Sequence, residues 1–246
     1  MSCSPSSSRA CSCGGVAVLI EARDVTRTYD VGAEIVTALR DVDFVVESGE
    51  FVAVVGPSGS GKSTLLNVLG LLDTPTEGTV LVDGVDSGTL SDSERTALRR
   101  ETIGFIFQQF YLIPTLTARE NVALPRLFVG TAAARNRRAV DLLTRFGLGD
   151  RTEHRPPQLS GGQQQRVAIA RSLINEPGVL LADEPTGNLD QATGKQILRE
   201  FQAITEEGVS VVAVTHDRLV TDHADRVVEL VDGRLGASSR ETQHVS

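Results

Sequence analysis

Beyond residue 13 the chain has no cysteine: Cys3, Cys11 and Cys13 all lie in the Ser-rich start, so no disulfide framework can hold the fold. Cys11-Ser-Cys13 meets no second Cys or His cluster with which to complete a four-ligand zinc site, and residues 1–15 read as a disordered tail instead. That stretch also lacks a charged segment followed by an apolar one, so no signal peptide is expected in it. Long apolar runs are missing throughout; Val16–Ile20 and Val179–Ala182 fall far short of the roughly 20 residues that cross a bilayer. Positive charge is in deficit, with 24 Lys and Arg against 32 Asp and Glu and a net charge of −8. That balance argues against duplex DNA as the main partner, because such affinity comes from neutralising phosphates.

What is present is an ordinary globular composition: 246 residues, 40% hydrophobic and 23% charged, enough for one or two domains with a sizeable core. Val18, Ile20 and Ala22, then Val42, Phe44 and Val46, alternate with polar neighbours, the period of half-buried strands in an antiparallel sheet. Phe51–Val55 is instead continuously apolar, as in a strand buried on both faces, and runs into a glycine-rich loop. Helical spacing follows over 62–72. Ser91 and Thr117 each stand three residues before a Glu, so two helices are expected to open with capping boxes, and a third covers 132–146. Residues 88–158 thus read as an inserted helical subdomain, broken by a short strand at 103–107. A helix opening at Ser160, a strand over 179–182, a helix over 191–206 and strands over 209–214 and 226–231 complete an alternation that implies an α/β fold with a mainly parallel sheet. The polar end, from about 235 and including 236–246, is expected to fray.

Chemistry concentrates at three places. Gly56-Pro57-Ser58-Gly59-Ser60-Gly61-Lys62-Ser63 has the spacing of a phosphate loop between a strand and a helix. Its glycines let backbone N–H groups turn inward around phosphate oxygens, and the helix end adds about half a positive charge. Lys62 would bring a full charge to the β- and γ-phosphates, and the Ser63 hydroxyl would ligate Mg²⁺. Asp183 and Glu184 then arrive at the end of a buried strand, the edge where open α/β sheets bind ligands. Asp183 would hold Mg²⁺ and Glu184 would orient and deprotonate a water. Leu159-Ser160-Gly161-Gly162-Gln163 has a plain reading as a helix cap and another as an anion site; its position between the other two motifs favours the second. His216 follows the strand at 209–214 after one Thr, on the same edge as Glu184, where its imidazole could reach the γ-phosphate.

In order, the phosphate loop, Gln108, Leu-Ser-Gly-Gly-Gln, Asp183-Glu184, Asn188-Leu189-Asp190 and His216 resemble the ATP-binding cassette (ABC) family over about residues 18–235. The resemblance implies a P-loop NTPase cassette at 16–235, with a mainly parallel core sheet flanked by helices, an antiparallel β-subdomain and the helical insertion at 88–158. It implies that Tyr29 stacks on adenine, against the alternative of an edge-strand ring packed on the sheet. Gln108 would reach Mg²⁺ or the lytic water, and Gly56 through Thr64 would hold the phosphates of ATP. Ser160, Gly161, Gly162 and Gln163 of one chain would close over the γ-phosphate held by a second copy, giving a head-to-tail homodimer in which Asp190 contacts the partner. Finer stretches, such as Phe107-Gln108-Gln109-Phe110 and Ala182-Asp-Glu-Pro-Thr-Gly-Asn-Leu-Asp190, resemble the LolD/MacB branch, which serves lipoprotein release, macrolide or peptide efflux and cell division. The implied protein is an ATP-hydrolysing subunit at the cytoplasmic face of the membrane that drives an integral membrane permease, with no nucleic-acid partner. Two alternatives stay open: a regulatory ATPase of a membrane-bound cell-division complex, and a soluble ABC protein acting on DNA or ribosomes. Against the second stand the absence of a long coiled-coil insertion and of a second cassette.

Overall fold

The computed structural model describes residues 17–32, 34–236 and 239–240. The expected tail at 1–15 lies outside them, as does most of 236–246. Two long strands open the described chain, β1 (Val18–Asp30) and β2 (Ile35–Glu47), paired antiparallel as their alternation requires. The sharp switch to a fully apolar strand gives β3 (Phe51–Val55), followed by helix α1 (Lys62–Leu69). Next come β4 (Glu77–Val82) and β5 (Val85–Asp86), which complete an antiparallel sheet of order β2-β1-β4-β5. Helix α2 (Asp92–Thr102) leads into β6 (Ile103–Ile106), and helices α3 (Ala118–Ala123) and α4 (Ala132–Arg145) follow. The remainder alternates: α5 (Gly161–Ser172), β7 (Val179–Asp183), α6 (Gln191–Glu206), β8 (Ser210–Thr215), a short α7 (Arg218–Thr221), β9 (Arg226–Val231), β10 (Arg234–Leu235) and β11 (Ser239–Arg240).

The second sheet runs β10-β9-β3-β8-β7-β6, and its five longer strands are parallel. Its strands are apolar without interruption because both faces are covered. Phe51, Ala53, Leu180, Ala182, Val211 and Ala213 point to the side covered by α3 to α6. Their alternates Val52, Val54, Val179, Leu181, Val212 and Val214 point toward α1 and the antiparallel sheet. Helix α1 is therefore clamped between two sheets. On the other side Phe51 meets Phe201 of α6 edge-to-face at 6.0 Å, an arrangement that adds about 0.5–1.5 kcal/mol to burial alone.

Both expected capping boxes form, Ser91 with Glu94 and Thr117 with Glu120. The strand that interrupts 88–158 is the outer strand of the parallel sheet, paired with β7 from Ile103–Val179 to Ile106–Ala182. Helix α1 stops at Leu69, earlier than its apolar spacing to Leu72 suggests. At Gly70 a side chain would stand 2.4 Å from the Phe105 ring, and Leu71 then turns left-handed, leaving Leu72 exposed. Near the end of the described chain Leu235 pairs with Leu230, and Ser239 with Val227.

Candidate active site

Strand β3 delivers the phosphate loop, and the loop's shape follows from what surrounds it. Gly61 takes φ +105°, and a side chain there would lie 2.4 Å from the Ala38 carbonyl of β2, so only glycine fits. Gly56 is equally enclosed, 2.0 Å from the Leu230 carbonyl. The Lys62 ammonium folds back into the loop, donating to the carbonyls of Gly56 at 2.8 Å and Pro57 at 2.9 Å. Pro57, Ser58 and Gly59 face solvent, whereas Ser60 is buried and its hydroxyl has no hydrogen-bond partner among the described residues. Helix α1 has no side-chain cap and no acidic residue in its first turn. The N–H groups of Lys62, Ser63 and Thr64 are left without helical acceptors.

The parallel pairing of β7 with β8 places the two carboxylates against His216. Asp183 ends β7, half-buried, with no hydrogen bond to its side chain among the described residues. Burial first, then the like charge of Glu184, hold its carboxyl above the ordinary aspartate range, partly offset by the nearby Lys62 ammonium. Glu184 turns left-handed at φ +44° and is kept there from the next strand, its N–H donating to the Val214 carbonyl at 2.9 Å. Its carboxylate is pinned at both oxygens. The buried Thr215 hydroxyl donates at 2.9 Å, and His216 Nδ1 lies 2.6 Å from the other oxygen. An ionised carboxylate only accepts, which makes Nδ1 the donor, and the His216 side chain is 75% exposed. Thr215 is itself fixed, accepting from the Asp217 N–H at 3.0 Å.

Gln108 follows β6 and sits beside the turn after Glu184: Asn188 Nδ2 donates to its carbonyl at 2.7 Å, and its side-chain amide lies 3.0 Å from the position a Cβ on Gly187 would take. The next residues, Phe110 and Tyr111, are both left-handed, and their carbonyls accept from Arg171 of α5 at 2.6 Å each. Ser160 caps α5 in a complete box, its hydroxyl accepting from Gln163 N–H and Gln163 Oε1 accepting from Ser160 N–H. Gly162 packs where a Cβ would be 2.5 Å from Thr193 of α6, so that glycine also has a packing reason. Tyr29 lies on β1 two residues from Arg27, on the same face of the strand. Its ring lies under the Arg27 guanidinium and its hydroxyl reaches Asp73.

The sequence reading gave no role to Thr215 or Asp73, and named Asn188 only as part of a motif. Of the first two, Thr215 carried a signal, as the one hydroxyl ending a strand otherwise of Val and Ala after its first residue.

The profile of the ABC transporter family matches residues 39–187, more than half of the chain. The chain belongs to the ABC transporter family. It is an ABC ATPase cassette. A macrolide export ATP-binding/permease protein, MacB 1/2 of Paracoccus denitrificans, is 53% identical over 91% of this chain and 34% of its own length. The cassette thus spans about a third of that relative. An uncharacterized ABC transporter ATP-binding protein of Thermotoga maritima is 51% identical over 90% of this chain and 95% of its own. A solved dimeric ATP-binding cassette of Methanocaldococcus jannaschii, in a post-hydrolysis state bound to ADP and Pi, superimposes with a TM-score of 0.83 at 46% identity, covering 90% of this chain and 98% of that one.

The polar groups around the loop suit a triphosphate with a hard cation. An uncapped helix end, a buried hydroxyl at Ser60 and a partly buried Asp183 carboxylate near Lys62 have no hydrogen-bond partner among the described residues. A hydroxyl and a single carboxylate are also the few protein ligands that Mg²⁺ takes alongside phosphate oxygens and water.

Proposed function

We propose that the cassette is the ATP-hydrolysing nucleotide-binding subunit of a membrane exporter or extractor of the LolD/MacB type, acting as a head-to-tail pair of chains. The observation that carries this is Glu184, held at both carboxylate oxygens on one sheet edge beside an Asp183 that faces the Lys62 ammonium. In this reading the N–H groups from Gly59 to Thr64 cradle the phosphates, and Lys62 shifts from the loop carbonyls onto β- and γ-oxygens. Ser63, Asp183 and Gln108 would hold Mg²⁺, which neutralises phosphate charge when bound. Glu184 takes a proton from water as the water oxygen bonds to the γ-phosphorus, and the bond to the bridging oxygen breaks to release ADP. His216 and Thr215 keep the carboxylate aimed, and the outer imidazole nitrogen faces the γ-phosphate. Ser160, Gly161 and Gly162 of the second copy, with Gln163, stabilise the charge that spreads over the transferred group. Tyr29 stacks on the purine.

ATP then joins the two chains, and hydrolysis lets them part; a permease that binds closed and open pairs unequally converts the difference into work. No helix among the described residues is long and apolar enough to cross a membrane, so the membrane contact is assigned to that permease, at the cytoplasmic face. A groove of about 430 Å³ beside the loop after Gln108 supports such a partner. It is lined by Leu72, Phe105, Phe107, Tyr111, Leu124 and Pro125, with Arg99, Arg100 and Arg171 as its charged groups and no carboxylate. An apolar segment bearing an acidic residue would fit it.

Glu184→Gln removes the base while keeping its size. Turnover is expected to fall by about 10²–10⁴-fold while ATP-dependent dimerisation, read by light scattering, survives. Wild-type turnover in that variant removes Glu184 from this role. Capture of an integral membrane protein by tagged Glu184→Gln with MgATP, and not by Lys62→Ala, supports the permease. Enrichment of ribosomal or DNA-repair proteins alone overturns the membrane assignment.

A further inference from the structure

The surroundings of Tyr29 assign a role to two residues outside every motif. We propose that Asp73 and Arg27 are positioning residues that fix the Tyr29 ring as a one-sided platform for the nucleobase; this rests on the reading of Tyr29 as the base-stacking residue.

The Asp73 carboxylate is saturated. Oδ2 accepts from the Tyr29 hydroxyl at 2.7 Å and from Arg27 Nε at 2.9 Å, while Oδ1 takes Arg27 Nη2 at 2.7 Å and its neighbour Thr74 N–H at 2.8 Å. The guanidinium so held lies 4.6 Å from the centre of the Tyr29 ring and covers one face of it. Only the opposite face remains for an aromatic ligand. Tyr29 itself is half-buried, and Arg27 and Asp73 keep under a quarter of their side-chain surface. The cluster is more than a surface ion pair, because it locks a ring with two rotatable bonds into one orientation.

Asp73 also ties the platform to the phosphate site. Its N–H donates to the Asn67 carbonyl of α1, the helix that Lys62 and Ser63 begin. A second tether runs parallel to it: Thr28 N–H donates to the Thr76 hydroxyl, and Thr76 N–H to the Thr26 carbonyl. On the other side Tyr29 pairs with Val36 of β2, two residues from Ala38, whose carbonyl packs on Gly61. At about 3.4 Å per residue, the platform lies about 7 Å along β2 from the phosphate loop, a span that one nucleotide bridges. Base and phosphate ends are thus gripped by parts fixed to one another, and the orientation of the base end passes through Asp73.

The test compares a ligand that has a base with one that does not. MgADP and magnesium pyrophosphate are titrated calorimetrically into the wild-type chain, Tyr29→Ala, Tyr29→Phe, Arg27→Ala, Asp73→Ala and Asp73→Ala combined with Tyr29→Ala. Stacking of the usual strength makes Tyr29→Ala weaken ADP about tenfold or more and leave pyrophosphate unchanged. Asp73→Ala and Arg27→Ala are expected to weaken ADP about threefold or more, again sparing pyrophosphate, with Tyr29→Phe between them and wild type. Asp73→Ala is expected to add nothing once Tyr29 is Ala. Equal loss of ADP and pyrophosphate, or additive loss in the double variant, overturns the proposal, since either marks Asp73 as mere support for α1. If Tyr29→Ala spares ADP, the base-stacking reading fails and the proposal falls with it; if only the Asp73 and Arg27 variants are silent, the stacking reading stands and the proposal alone is lost.

Discussion

Helices α1 and α5 both begin at glycine and serine in motifs that suit an anion, yet their N-termini are satisfied differently. Helix α1 has Gly61 as its cap, left-handed and without a side chain, so three consecutive N–H groups and the Lys62 ammonium point into one loop. Helix α5 closes on itself, with Ser160 and Gln163 each accepting from the other's backbone and only Gly161 and Gly162 left open. The other five α-helices among the described residues are also capped by side chains, from Ser91 on α2 to Asp217 on α7. An uncapped end is tolerated where a ligand replaces the cap; a capped end keeps its stability alone and turns to a ligand when one is brought to it. The difference is what the proposed site requires, with one half built within a chain and the other supplied by a second copy.

The largest expected effect breaks this comparison into its halves. Lys62→Ala should abolish ADP binding and hydrolysis, whereas Ser160→Ala should leave ADP binding by the isolated chain intact and cut hydrolysis by about 10²–10³-fold, the usual loss for a donor that acts on developing charge. Mixing the two inactive variants then discriminates. In a mixed pair one site joins an intact phosphate loop to an intact α5, so random pairing should restore up to about a quarter of wild-type turnover under two-fold symmetry. No recovery on mixing, with ADP binding by Ser160→Ala verified, would mean that α5 does not act across the pair.

Which parts of this arrangement could be read from the sequence depends on how far apart the partners lie along the chain. The phosphate loop and the boxes at Ser91, Thr117 and Ser160 are contacts within a few residues, and their spacing is their physics. The strands at 51–55 and 226–231 were legible because burial on both faces writes itself into a continuous apolar run and burial on one face into alternation. Asp73 to Tyr29, Thr215 to Glu184 and Asn188 to Gln108 are separated by 44, 31 and 80 residues, and nothing local tells which residue pairs with which. The stop of α1 at Leu69 was readable in principle from Gly70, its C-cap residue; what nothing local marks is the Phe105 ring that packs where a Gly70 side chain would be. Nor did residues 103–107 reveal that their strand completes the edge of the parallel sheet.

A smaller effect separates stability from activity at α5. Losing the Ser160 cap should cost about 1 kcal/mol, lowering the thermal midpoint by about 2–4 °C in a chain of this size, because the hydroxyl already serves the helix. Ser160→Asp keeps a cap of similar strength but adds a negative charge. It should restore the midpoint and leave hydrolysis lost, since a carboxylate repels the γ-phosphate of the other chain. Hydrolysis recovering in step with the midpoint would reduce α5 to a structural helix.

The smallest effect concerns the half that one chain builds. The ionised form of Asp183 is disfavoured, since burial and the like charge of Glu184 oppose it. A carboxyl whose folded pKa lies above its unfolded value binds its proton more tightly when folded. Its contribution to stability therefore falls as pH rises from the ordinary aspartate range through the raised value. Asp183→Asn removes the charge, so the ligand-free chain should gain a little stability at neutral pH and lose that part of its pH dependence, as measured by thermal unfolding across a pH series. The same variant should lose Mg²⁺-dependent nucleotide binding. In the wild-type chain acid should weaken Mg²⁺ at a higher pH than an ordinary aspartate would, because protons compete for that oxygen. A ligand-free Asp183→Asn chain less stable than wild type at neutral pH would show that the carboxylate already has a favourable partner, and that this end of the site is satisfied before any nucleotide arrives.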